Sequence, residues 1–194
     1  MRKQANSLAR LIFSEDVNEE KIELYSFAIY IVFSELLHIV TMLLIGLIFG
    51  LVAESIILYI SFISIRKFAG GYHAKTPFRC YLFSIVTIVI SLLTLKFSFN
   101  SQIIGLNYMF ISIALISLIV ILFLSPLDNE NKIINCKEKK VYKKISVVNS
   151  CVLFIISLFM LYSSNSYGYS VILGICISAI VLIVRKAQIV KGKI

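Results

Sequence analysis

The sequence predicts an all-α integral membrane protein with six transmembrane helices. Its composition is too apolar for water, its apolar runs have spanning length, and its basic residues fall between alternate runs. Of the 194 residues, 59% are hydrophobic and only 15% are charged, with a mean hydropathy of +0.95. A soluble domain of this size needs a polar exterior that such a composition does not supply. Lipid removes the contradiction. Residues 1–194 are expected to form a single membrane domain with no room for a second, soluble one.

A spanning helix takes about 20 mostly apolar residues. Residues 22–65 contain no Lys or Arg, and their length suits two helices joined by a tight turn near residues 46–50. Further spans are expected at 80–95, 106–124, 145–162 and 169–184. Basic residues orient them. Arg2, Lys3, Arg10 and Lys21 precede the first span, and Arg66, Lys67, Lys75 and Arg79 separate the second from the third. Lys132, Lys137, Lys139, Lys140, Lys143 and Lys144 form a basic loop between the fourth and fifth, and Arg185, Lys186, Lys191 and Lys193 follow the sixth. Of 19 basic residues only Lys96 falls on the other side. Both termini are therefore expected in the cytoplasm. Glu54 then belongs at the outer end of the second span.

The net charge of +9 reads mainly as this topology signal. No nucleic-acid module is visible, and no nucleic-acid partner is expected. No cleavable signal peptide is expected before Lys21. Residues 1–13 instead place Ala5, Leu8, Ala9 and Ile12 on one helical face, which suits a short amphipathic helix in the membrane interface. A solvated tail is the other reading.

The four cysteines show no metal-binding spacing, and the two histidines lie in separate segments, so neither metal nor cofactor is expected. Cys151 and Cys176 fall inside apolar runs, where cysteine is usually a small hydrophobe. Cys136 falls in a cytoplasmic loop, where disulfides seldom persist. Cys80 alone has a histidine close by, His73.

Residues 66–80, RKFAGGYHAKTPFRC, are neither apolar enough to span nor a simple basic linker. Gly70 and Gly71 permit backbone conformations closed to other residues. Pro77 disfavours helix at Thr76, so Thr76 is expected to cap a helix whose first residue is Pro77. Cys80 then lies in the first turn, where a helix N-terminus favours the thiolate. An imidazole beside it would take the thiol proton and return one to a leaving group. Seven residues of continuous helix would hold His73 and Cys80 about 10 Å apart, so the dyad needs a chain reversal between them. The glycine pair and the Thr-Pro step provide for one. Equally, His73 bonding a carbonyl and Cys80 merely packing would leave the pair without chemistry.

The run Arg66-x4-Gly71-x-His73-Ala74-x5-Cys80 closely resembles the signature of the AgrB family, the accessory gene regulator peptidases of Gram-positive quorum sensing. Pro126-Leu127-Asp128-Asn129-Glu130-Asn131-Lys132 is similar to the weaker Pro-x-Asp-x-x-Asn-Lys stretch of that family. The resemblance implies a cell-membrane cysteine endopeptidase whose site faces the cytoplasm. Its substrate would be an AgrD-like propeptide held at the lipid bilayer, and the enzyme a homodimer. Cys80 would be the nucleophile, His73 the general base and acid, and Arg66 and Gly71 supporting residues. Arg66 is assigned to binding a substrate carboxylate or backbone carbonyl, and Gly71 to close backbone approach. Cleavage would leave a thioester on Cys80, which an internal Cys or Ser of the peptide resolves to a thiolactone or lactone. Lys137, Lys139 and Lys140 would attract the acidic tail of the propeptide, or simply mark topology. Glu35 and His38 share a face of the first span. Glu35 either orients His73 or pairs with His38 in packing. A transporter or a non-catalytic membrane partner are the competing classes; no inverted repeat or interior charge series supports the first.

Overall fold

The computed structural model describes residues 6–8, 12, 19–72, 76–100, 105–127, 135–163 and 165–192. Six long helices follow one another: α1 (Glu19–Phe49), α2 (Val52–Ala69), α3 (Pro77–Asn100), α4 (Leu106–Leu124), α5 (Cys136–Tyr162) and α6 (Tyr167–Val190). No strand occurs among the described residues. Five of the six, all but α2, are long and apolar enough to cross a membrane. Glu54, Arg66 and Lys67, at the two ends of the 18-residue α2, put it outside that group. The expected count of six thus becomes six helices, five of which qualify by length and composition. Most of the expected N-terminal amphipathic helix lies outside the described residues; residues 6–8 and 12 are helical and exposed.

The chain forms two compact units, residues 1–44 and 45–194. In the first, the body of α1 carries Glu35, exposed, and His38, half-buried. Thr41 donates its hydroxyl proton to the Leu37 carbonyl at 2.8 Å, which satisfies a polar group within one apolar helix.

The second unit opens with the end of α1 and its turn into α2. Gly50 takes φ +71°. Its N–H bonds the Leu47 carbonyl at 3.1 Å, and the Leu51 N–H bonds the Gly46 carbonyl at 2.8 Å. Those two bonds make a Schellman ending, which a glycine accommodates without Cβ strain. The turn expected near residues 46–50 is therefore real, and Gly46 remains helical beside it. A Cβ on Gly46 would stand 2.6 Å from Ser55 Oγ, so the two arms of the hairpin touch there.

Within this unit α6 is the central post. It packs against α2, α4 and α5 and, more sparingly, α3. Of its apolar stretch 61% is buried, against 22% in α3 and α4 and 17% in α5. The cause is legible in its residues. A Cβ on Gly174 would stand 2.6 Å from Ser61 Cβ and 3.1 Å from the Leu58 carbonyl oxygen of α2. Small residues let helix backbones approach where lipid supplies no hydrophobic drive between them. Ile65 and Ala69 of α2, Ile121 of α4, and Val171, Ile175, Ala179 and Leu182 of α6 form the core. Phe110 and Ala114 of α4 join Ile172 and Cys176 of α6 in a second cluster. Cys176 is thus a packed small hydrophobe. Buried serines bond carbonyls of their own helices, as Ser61, Ser150 and Ser178 do at 2.6–2.9 Å. Ser125 at the end of α4 meets Ser146 of α5 hydroxyl to hydroxyl.

Three helices are longer than the sequence suggests; α3 runs on to Asn100. α5 starts at Cys136, so Lys137, Lys139, Lys140, Lys143 and Lys144 stand on helix, and the reading of this stretch as a loop is corrected. Nothing in KEKKVYKK breaks a helix, and lysine and glutamate are good helix formers. α6 likewise runs to Val190 and takes in Arg185 and Lys186.

Candidate functional site

The site is built where α2 ends, a short strap crosses α6, and α3 begins. Ala69 closes α2, and Gly70 follows with φ +76°. A Cβ on Gly70 would collide with the Leu127 carbonyl oxygen, and the Leu127 N–H bonds the Ala69 carbonyl at 3.1 Å. The Pro126-Leu127 part of the second motif is therefore seated on the end of α2. Residues 128–132 of that motif lie outside the described residues.

Gly71 takes φ +136°, and a Cβ there would stand 2.7 Å from Val181 Cγ1 of α6. Tyr72 is then held at both backbone polar atoms. Its N–H bonds the Val181 carbonyl at 3.3 Å. Its carbonyl accepts from Arg66 Nη2 at 2.8 Å. The Arg66 guanidinium also lies over the Phe62 ring, 5.4 Å from its centroid. A planar, multiply donating cation suits both contacts at once. The carbonyl that Arg66 engages is thus the chain's own.

The strap reaches α3 through a ring. Tyr72 and Phe83 have centroids 6.0 Å apart with planes inclined at 58°. Phe83 lies three residues beyond Cys80, on the same helix face. His73, with Ala74 and Lys75, lies outside the described residues, so the partner expected for Cys80 has no described position.

On the far side, α3 begins as its sequence requires. Pro77 is its first residue, and Thr76 Oγ1 accepts from the Arg79 N–H at 3.4 Å. The Cys80 N–H bonds the Thr76 carbonyl at 3.1 Å, which completes the first turn. Cys80 is half-buried in that turn and is a free thiol, while Cys151 is exposed on α5 and Cys176 buried. Among the described residues no three His, Cys, Asp or Glu side chains group as metal ligands would.

The basic extension of α5 flanks the strap. Phe68 near the end of α2 and Tyr142 of α5 pack at 6.2 Å between centroids, and Lys67 Nζ lies 5.9 Å from the Phe68 ring. Lys137 and Lys140 are exposed and Lys139 half-buried. Glu35 belongs to the first unit.

Three residues escaped the sequence reading. Tyr72 sat unnoticed between Gly71 and His73, although an aromatic in a glycine strap needs somewhere to pack. Val181 gave no signal, since its role is a backbone carbonyl. Arg185 reads in the sequence as a flanking charge, yet it is 3% exposed. Its spacing of three from Leu182 and seven from Ser178, both buried, does mark the inner face.

The profile of the accessory gene regulator B family matches residues 3–182 of the chain. Protein FsrB of Enterococcus faecalis is 28% identical over 164 residues, 84% of this chain and 64% of that protein. The accessory gene regulator protein B of Staphylococcus aureus is 36% identical over 146 residues, 75% of this chain and 73% of that protein. A putative AgrB-like protein of Clostridium perfringens is 26% identical over 166 residues, 84% of this chain and 77% of the relative. The chain thus spans slightly less than two thirds of FsrB. No solved structure matches it. With a profile covering nearly its whole length and five helices apolar enough to span, the chain is a membrane protein that belongs to the accessory gene regulator B family.

Proposed function

We propose that the chain is a membrane cysteine endopeptidase of quorum sensing, which removes the C-terminal tail of an AgrD-like propeptide and promotes its cyclisation. The observation that carries this reading is the place of Cys80. It is a half-buried thiol in the first turn of a capped helix, and upstream of it the backbone of Tyr72 is held at both its N–H and its carbonyl.

In the proposed reaction His73 takes the thiol proton, and Cys80 Sγ attacks the carbonyl carbon of the scissile peptide. The C–N bond breaks, the leaving amine takes the proton from His73, and an acyl thioester remains on Cys80. An internal thiol or hydroxyl of the peptide gives its proton to His73 and attacks that thioester. The ring closes, and Cys80 recovers its proton. Hydrolysis would waste the thioester, so the site must exclude water and hold the internal nucleophile near. The half-burial of the Cys80 thiol favours that outcome.

Orientation belongs to the same proposal. α2 serves as the sixth span, its charges lying at its two ends. Both termini, and the rim that carries Cys80, face the cytoplasm, in keeping with the bias of basic residues. Lys137, Lys139 and Lys140 then stand where an acidic peptide tail would be attracted. The enzyme works as a homodimer, to be tested by crosslinking in membranes.

Membranes containing the chain are to be given a propeptide tagged at its C-terminus. Release of the tag, lost in both Cys80→Ala and His73→Ala, supports the reading; release that survives both substitutions overturns it. Accumulation of transported, uncut peptide would favour a transporter instead.

A further inference from the structure

We propose that Tyr72 is a positioning residue for the peptidase reaction, its ring tying the chain just before His73 to the helix that carries Cys80. The inference rests on the peptidase reading above and adds to it a residue outside the proposed dyad.

Three observations lead there. The backbone of Tyr72 is fixed by the Val181 carbonyl of α6 and by Arg66 of α2. Those bonds anchor the strap to two packed helices, neither of which bears the thiol. The helix that does, α3, touches α2 and α6 at few points. Its relation to the strap therefore depends on whatever contacts cross the gap. Among the described residues, a contact that crosses between Tyr72 and α3 is the ring pair with Phe83, centroids 6.0 Å apart. Phe83 is one turn beyond Cys80, so the pair acts close to the sulfur. A catalytic group displaced by about 1 Å can lose on the order of a hundredfold in rate. The tyrosine hydroxyl plays no part in this scheme; the ring does.

The test uses full-length protein in membranes and single-turnover formation of the Cys80 thioester. Tyr72→Ala and Phe83→Ala are each expected to slow acylation roughly tenfold, with KM held within about twofold. The double variant should be no slower than either single one, because both remove the same contact. Tyr72→Phe should retain full rate. The pH profile of Cys80 alkylation by iodoacetamide should move toward that of His73→Ala in both alanine variants. A residue that merely packs would not move that profile. Phe83 is 57% exposed, so Phe83→Ala should fold even where Tyr72→Ala does not. Additive losses, an unchanged alkylation profile in Phe83→Ala, or a change confined to KM would each overturn the inference. Cleavage that persists in Cys80→Ala would overturn the peptidase reading and this inference with it. Cleavage lost in Cys80→Ala but normal in Phe83→Ala would overturn the positioning role alone.

Discussion

At Gly71 two demands meet in one residue. The backbone takes φ +136°, and Val181 Cγ1 occupies the space a Cβ would need. Alanine there must accept a disfavoured conformation, costing on the order of 1–3 kcal/mol, and push against α6 as well. Gly71→Ala is expected to lower propeptide cleavage at least tenfold, measured against membrane-inserted protein. Trimming the obstacle with Val181→Ala should restore only part of the loss, because the backbone demand remains. Full rescue would show that crowding alone matters. Arg66→Lys is the companion case. An ammonium keeps the charge but lacks the planar fork that reaches the Tyr72 carbonyl while lying over Phe62. Cleavage should fall in Arg66→Lys nearly as far as in Arg66→Ala, and a lysine variant with wild-type turnover would contradict that. Cys80 and Gly71 are marked as candidates in the sequence by motif identity and backbone chemistry together, and Arg66 by the motif alone. Val181 was not, since any residue supplies a carbonyl.

Among the elements, α3 shows sequence rules acting locally. A threonine before a proline stops one backbone conformation and starts a helix, and Thr76 accepts from Arg79 as that rule requires. Thr76→Ala is expected to loosen the first turn by about 0.5–1 kcal/mol, while Thr76→Ser should not. Faster amide exchange at Arg79 and Cys80 would register it. The start of α5 shows the limit of such rules. Charge patterning separates the lysines from the apolar span, but it does not say that the backbone stops being helical there, and here it continues. If those lysines attract an acidic tail, Lys137, Lys139 and Lys140 changed together to Gln should weaken propeptide binding and flatten its salt dependence with little change in kcat. An unaltered salt dependence would leave them as topology signals only. Arg185 was hidden for the opposite reason. Its charge drew it into the flanking set, while its helical phase put it among buried residues.

For the molecule as a whole, the all-helical membrane class followed from composition, and the spans from apolar runs of adequate length. The centrality of α6 did not. It depends on where glycine and serine meet across helices, as Gly174 meets Ser61 and Leu58, and no single-sequence periodicity reports partners. Gly174→Leu should separate α2 from α6 and destabilise the protein by about 1–3 kcal/mol or more, read as a lower melting temperature in detergent. Ile180→Leu on the exposed side of the same helix should leave that temperature unchanged.

One small contact bears on how the molecule presents itself to charged peptides. Lys96, about 24 Å along α3 from Cys80, is the single basic residue near that end of the bundle among the described residues, and its ammonium lies 5.9 Å from the Phe49 ring. Its charge is partly absorbed by an aromatic face, while lysines crowd the opposite rim. Among the described residues of the second unit the basic charge is accordingly one-sided. On the proposed function, an acidic propeptide tail is attracted to the basic rim and not to the Lys96 end, and cutting that tail away removes the attraction.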